Sequence, residues 1–134
     1  MKKTNNKGFS LVELIIVIAI MAILIGVLAP QYIKYVEKSR VSADKDLMDS
    51  IYTACTTAAA DADITDAPVG QTNVNITSGS WGSEVMNTLG ITATSDLTFK
   101  SKTATNGTLS VDVDSMGNFQ VKVVNGTDSF VVPE

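Results

Sequence analysis

The run from Phe9 to Ala29 limits what this chain can fold into more than any other feature. Eighteen of its 21 residues are apolar, and Glu13 is its one charge. Twenty-one helical residues rise about 31 Å, the thickness of a bilayer's hydrocarbon core. Ile and Val dominate and would suit strands equally well. Length decides for helix, because a lone strand leaves its backbone polar groups unpaired in lipid. One soluble alternative is a buried core helix, but the roughly 100 residues that follow could hardly enclose a helix apolar on every side. The other is a secretory signal peptide cut after Val27-Leu28-Ala29. The run is long for such a core, and Pro30 would follow the scissile bond. Lys2, Lys3 and Lys7 precede the run, while Lys34, Lys38, Arg40 and Lys45 follow it, so the positive-inside count is balanced. The leader is placed in the cytoplasm because it is too short to be a translocated domain.

Composition narrows the function classes. From Pro30 onward 41 of 105 residues are apolar, ordinary for a soluble domain. The chain has no histidine, which removes Ser-His-Asp and Cys-His catalysis and every histidine metal ligand. Cys55 is the one cysteine, so no intrachain disulfide or cysteine-based zinc site can form. The net charge of −4 does not indicate a nucleic-acid surface built on excess positive charge.

The pattern predicts an α+β fold in five stretches: a leader at 1–8, the apolar helix at 9–29, its amphipathic continuation at 30–63, a connecting loop at 64–96, and an antiparallel sheet at 97–134. In the continuation, Ile33, Val36, Ala43, Leu47, Ile51, Cys55 and Ala58 recur in steps of three and four and make one face. Lys34, Glu37, Lys38, Asp44, Asp46 and Asp49 mostly fall elsewhere, with Glu37 and Arg40 spaced for a surface pair. Pro30, helped by Gly26 four residues earlier, is expected to bend the helix. The whole element, Phe9 to about Ala60, would form a spine about 78 Å long if continuous.

Asp61 to Gly79, punctuated by Pro68 and Gly70, reads as a surface loop, and Trp81 to Leu89 as a short helix ended by Gly90. Leu97–Lys100, Leu109–Val113, Phe119–Val123 and Phe130–Val132 read as strands, giving a meander of three or four. Asn106-Gly107 and Asn125-Gly126 are hairpin-type dipeptides, and Met116-Gly117-Asn118 a further turn. The apolar faces Leu109, Val111, Val113 and Phe119, Val121, Val123 would lie on the Ala43–Leu47–Ile51–Cys55 side of the helix.

The junction Lys7-Gly8-Phe9-Ser10-Leu11-Val12-Glu13-Leu14 resembles the class III signal of type IV pilins and the related pseudopilins. The resemblance continues through Ile15–Ile20 to Pro30 and covers about residues 7 to 45; the rest agrees in layout. It implies that a prepilin peptidase cuts between Gly8 and Phe9 and methylates the new amino group of Phe9. The mature chain would be Phe9 to Glu134, 126 residues, and losing Lys2, Lys3 and Lys7 takes the net charge from −4 to −7. Gly8 lacks a side chain, so a protease can approach its backbone closely. Glu13 is costly within a membrane helix and calls for a partner. The resemblance supplies one, the Phe9 ammonium of a neighbouring subunit, a pair that would set axial register in a water-poor core. Glu13 snorkelling at the interface is the plainer alternative. Around Gly26 and Pro30 the helix is expected to melt locally in a filament.

The function that follows is a structural subunit, the major pilin, of a type IV pilus for adhesion, twitching motility or DNA uptake. The expected partners are further copies of the chain in a helical homopolymer, the peptidase, an inner-membrane assembly platform with its ATPase, the membrane through residues 9–29, and surfaces or other cells. DNA is possible but not indicated by charge. A pseudopilin of a type II secretion or competence system is the alternative, and a monomeric single-pass binding protein the reading from a different class. An enzyme does not fit, and no cofactor or metal is expected. Asp112–Gly117 resembles the start of a calcium loop but carries Met116 at a ligand position and lacks the closing Glu. Asn75-Ile76-Thr77, Asn106-Gly107-Thr108 and Asn125-Gly126-Thr127 match glycosylation sequons, expected by chance in so Thr/Asn-rich a chain. Phe9, Tyr32, Tyr35 and Tyr52 along the spine read as packing residues. The absence of a second cysteine, and so of a C-terminal disulfide loop, leans toward a Gram-positive source.

Overall fold

The computed structural model describes residues 8–133. The leader lysines Lys2, Lys3 and Lys7 lie outside the described residues. The chain divides into two compact units, residues 1–36 and 37–134. In chain order the elements are α1 (Leu11–Ala60), α2 (Gly79–Leu89), a 3-10 turn at Thr94–Asp96, α3 (Lys102–Thr105), β1 (Thr108–Val113), β2 (Phe119–Asn125) and β3 (Asp128–Val132). The fold is α+β, a long helix with an apolar N-terminal stretch followed by an antiparallel sheet.

In the second unit the sheet has order β1-β2-β3. Val111 pairs with Val121 and Val113 with Phe119, so the alternating apolar residues of both strands share one face. Val111, Val113, Phe119, Val121 and Val123 are buried in a core with Met48, Ile51, Ala54, Cys55 and Ala58 of α1. Trp81 of α2 joins this core, stacked on Phe119 with ring centroids 5.6 Å apart and donating its indole N–H to the Cys55 carbonyl at 3.2 Å. Burial pushes the Cys55 thiol up to about 12, so it stays neutral in the folded chain. Trp81→Phe keeps the stacking and loses the indole donor, and is expected to lower stability by about 1 kcal/mol. Denaturant titration of the full chain in detergent, followed by far-UV circular dichroism, measures this.

Both expected turns after β1 form, with one change of detail. Asp114 holds the β1–β2 turn, its carboxylate accepting from the Asn118 side-chain amide at 2.9 Å and from the Asn118 and Met116 N–H groups at 2.8 and 2.9 Å. These bonds favour the ionised form and hold its carboxyl below the usual range. Asp112 is likewise held low, by Lys122 and by the Asn73 N–H. The Asp112–Gly117 stretch is thus a hairpin turn. At the β2–β3 turn Asn125 pairs with Asp128, leaving Gly126-Thr127 as the two-residue loop, with Gly126 at φ 61° supplying the positive φ such a loop requires.

Three expectations need correction. Leu97–Lys100 is not a strand: the N–H of Lys100 goes to a side chain of α1 instead of to a neighbouring strand. Asn106-Gly107 is not a hairpin but the end of α3, where Gly107 N–H bonds the Ala104 carbonyl. Glycine is needed there for close approach: a Cβ would sit 2.7 Å from the Thr103 carbonyl oxygen and 3.0 Å from that of Val124. The buried stripe of α1 begins at Asp44 and Met48 rather than at Ala43 and Leu47, which are half-buried. The polar stretch is a loop as expected, though over 61–78, since Gly79 already belongs to α2, and part of it lies along the open edge of β1. Val113 N–H donates to Gln71 O and Val74 N–H to Val111 O, both at 2.7 Å, so that edge is covered.

Candidate assembly interface

The first unit carries the residues that the sequence singles out as candidates for processing and assembly. Gly8 and Phe9 precede α1, and Phe9 is 87% exposed. A Cβ built on Gly8 would meet nothing within 4 Å, so its backbone is open to approach. Ser10 caps α1. Its hydroxyl accepts the Glu13 N–H at 3.2 Å, and the Glu13 carboxylate accepts the Ser10 N–H at 3.3 Å. This reciprocal capping box settles two helix-end donors within the chain itself. The S-x-x-E spacing was legible, but the charge of Glu13 drew attention to a neighbour's amine and away from Ser10.

Every side chain from Phe9 to Leu28 is exposed, including Ile15 to Ile18 and Ile23 to Ile25. The helix is long and apolar enough to cross a membrane. Gly26 and Pro30 both lie inside α1, which runs through them without interruption in its assignment. A Cβ at Gly26 would meet nothing within 4 Å, so no packing inside the unit demands glycine there. Among the described residues this apolar surface stays exposed, and an exposed apolar surface of this size marks a membrane or protein contact.

In the second unit two α1 carboxylates hold the segment before α3. Asp44, 1% exposed, accepts the Lys100 N–H at 2.7 Å and the Ser101 N–H at 2.8 Å. Glu37, two turns earlier, accepts the Lys102 N–H at 2.9 Å. Ser101 then caps α3, its hydroxyl accepting the Ala104 N–H. Sequence reasoning placed Asp44 off the packed face and gave Glu37 only a pair with Arg40. The clue was that the stripe Cys55–Ile51–Met48, extended backward, lands on Asp44.

The prokaryotic N-terminal methylation motif matches residues 3–29. The chain is 32% identical over 99 residues to a type IV major fimbrial protein of Dichelobacter nodosus, covering 73% of this chain and 64% of that protein. The motif and this match support a type IV pilin. This pilin is also 42% identical over 50 residues to the type IV major pilin protein of Myxococcus xanthus, 37% of this chain and 23% of that one. With a fimbrial protein of Moraxella nonliquefaciens it shares 42% over 52 residues, 39% of this chain and 34% of that protein. The pilin thus spans less than two thirds of the length of each of these relatives. None of these matches supports a Gram-positive source. No solved structure gives a significant match.

Proposed function

We propose that this pilin is the structural, major subunit of a type IV pilus. The observation that carries the reading is the exposed apolar stretch of α1 from Leu11 to Leu28, which begins two residues after Phe9 and holds one carboxylate, Glu13. A prepilin peptidase cuts between Gly8 and Phe9 and methylates the Phe9 amine, and the apolar helix is kept. Residues 9–29 anchor the subunit in the cytoplasmic membrane. An assembly platform and its ATPase then draw it into a helical homopolymer on the cell surface. Moving the helix from lipid into a core of like helices exchanges one apolar setting for another, so little hydrophobic free energy opposes extraction. One heterologous contact repeated without closure gives an open helical filament.

In that filament the Glu13 carboxylate meets the Phe9 ammonium of a neighbouring subunit, and Gly26 and Pro30 let the helix loosen between them. The work is packing rather than catalysis, serving adhesion, twitching motility or DNA uptake. The major-pilin names of the similar proteins favour the pilus over a secretion or competence pseudopilus. Intact-mass analysis of sheared surface filaments tests the reading. The expected chain starts at Phe9 and carries one added methyl. A chain starting at Met1 or at Pro30 overturns it.

A further inference from the structure

We infer that Tyr32 and Tyr35 form, with Gln31 and Lys34, a girdle that seats α1 in the headgroup layer of the outer leaflet before assembly, an inference that rests on the membrane reading of residues 9–29 above. The exposed surface does not stop at Ala29: Tyr32, Ile33 and Tyr35 are 69%, 61% and 66% exposed, all within the first unit. Lys34 beside them is exposed as well. Five successive residues go slightly more than once round a helix of about 3.6 residues per turn. Gln31, Tyr32, Lys34 and Tyr35 thus carry an amide, two hydroxyls and an ammonium round almost the whole circumference, each on an apolar stem or ring. Tyrosine is enriched where hydrocarbon gives way to headgroups, and a lysine there reaches back to water along its apolar stem. Packing against one neighbouring helix calls for an apolar face. Polar tips on nearly every side suit a headgroup layer, which surrounds the helix.

The spacing to the other end of the span matches one bilayer. Glu13 and Lys34 are the nearest charges on either side, and the twenty residues between them, 14–33, carry none. The assignment of α1 is unbroken over this stretch, which rises about 30 Å, the thickness of the hydrocarbon core. Residues 14–30 hold no polar side chain, so nothing within the span fixes its depth and the two flanks must. Seating the tyrosines in the outer headgroups brings Glu13, with its Ser10 capping box, to the cytoplasmic headgroups. A carboxylate costs less there than at mid-bilayer, because it reaches water. The Gly8-Phe9 junction is then held on the cytoplasmic side, within reach of a peptidase.

The test places one nitroxide label at a time on the full-length chain in vesicles of phosphatidylcholine and phosphatidylglycerol. Cys55 is buried, so the label goes to an introduced cysteine, Ile23→Cys or Ile33→Cys, and both tyrosines stay. Positions 23, 32, 33 and 35 are exposed and lie in the first unit, so the core of the second is untouched. Depth is read from collisions with oxygen, which concentrates in lipid, against those with a water-soluble nickel chelate. The Ile33→Cys label is expected at the headgroups and the Ile23→Cys label near mid-bilayer, with chelate collisions at least about tenfold fewer. Adding Y32S/Y35S to Ile33→Cys is expected to raise its chelate collisions about twofold. Y32F/Y35F keeps the rings, loses the hydroxyls and is expected to lower them about twofold. An Ile33→Cys label as deep as the Ile23→Cys label, or one that either tyrosine pair leaves unmoved, overturns the inference and leaves the tyrosines to packing between subunits. An Ile23→Cys label open to the chelate overturns the membrane reading itself, and this inference with it.

Discussion

Glu13→Ala is expected to reduce surface filament by at least about a hundredfold, while the unit from residue 37 onward stays folded. Breaking one partner of an ion pair in a water-poor core costs about 3–5 kcal/mol, two or more powers of ten in an equilibrium. Under the proposed pairing, the loss comes from leaving the Phe9 ammonium of the neighbouring subunit without its carboxylate. The capping box with Ser10 offers a rival cause, since alanine also frees the Ser10 N–H. Glu13→Gln separates the two. Glutamine can still cap from that position but carries no charge. If pairing with the amine is what matters, Glu13→Gln fails to build filaments as fully as Glu13→Ala. Normal filaments from Glu13→Gln would reduce Glu13 to a helix cap. Electron microscopy of sheared material, with immunoblotting of total pilin, reads both outcomes.

Asp44→Ala is expected to lower the stability of the second unit by about 2–6 kcal/mol. Two N–H groups lose their acceptor, the part-buried one of Lys100 and the buried one of Ser101, each at a cost of about 1–3 kcal/mol. The methyl group also leaves a space that the surrounding helix and loop can only partly fill. Trp81, the one tryptophan of the chain, sits in the adjoining core and reports the transition by fluorescence in the full chain held in detergent. Asp44→Asn keeps one acceptor oxygen but turns its NH2 toward the other N–H, and should lose at least half as much. An Asp44→Ala midpoint equal to wild type would show that water satisfies these donors and that the carboxylate is dispensable. The effect differs in kind from that of Glu13: the chain would fail by unfolding rather than by failing to assemble.

Residues near one another in sequence were the legible ones. The apolar run, the 3.6-residue stripe through Ile51, Cys55 and Ala58, and the alternation of β1 and β2 each follow from a local period that reports which face is buried. Gly90 ends α2 and Gly117 forms its turn because only a residue without a Cβ takes those backbone angles at little cost. The methylation motif was legible for the same reason, since it is a contiguous string. What the chain alone determined, then, is a membrane-length apolar helix, an amphipathic continuation and a β-meander, together with the family they resemble.

Only the tertiary structure decided how the rest is used. Leu97–Lys100 has the alternation of a strand, yet the N–H of Lys100 goes to Asp44, 56 residues away, and a charged acceptor held in place outcompetes an absent neighbouring strand. Asn106-Gly107 has the composition of a hairpin, but a helical turn precedes it and the space at Gly107 is closed by two carbonyls. Trp81 had no local partner, and its place on Phe119 and on the Cys55 carbonyl depends on three elements meeting. Asp44 reads as a surface residue until its partners are known, because a carboxylate can be buried only where donors from elsewhere in the chain arrive to meet it. Periodicity records which side of an element is apolar; which distant backbone groups come to a polar side chain is set by the packing of the whole unit.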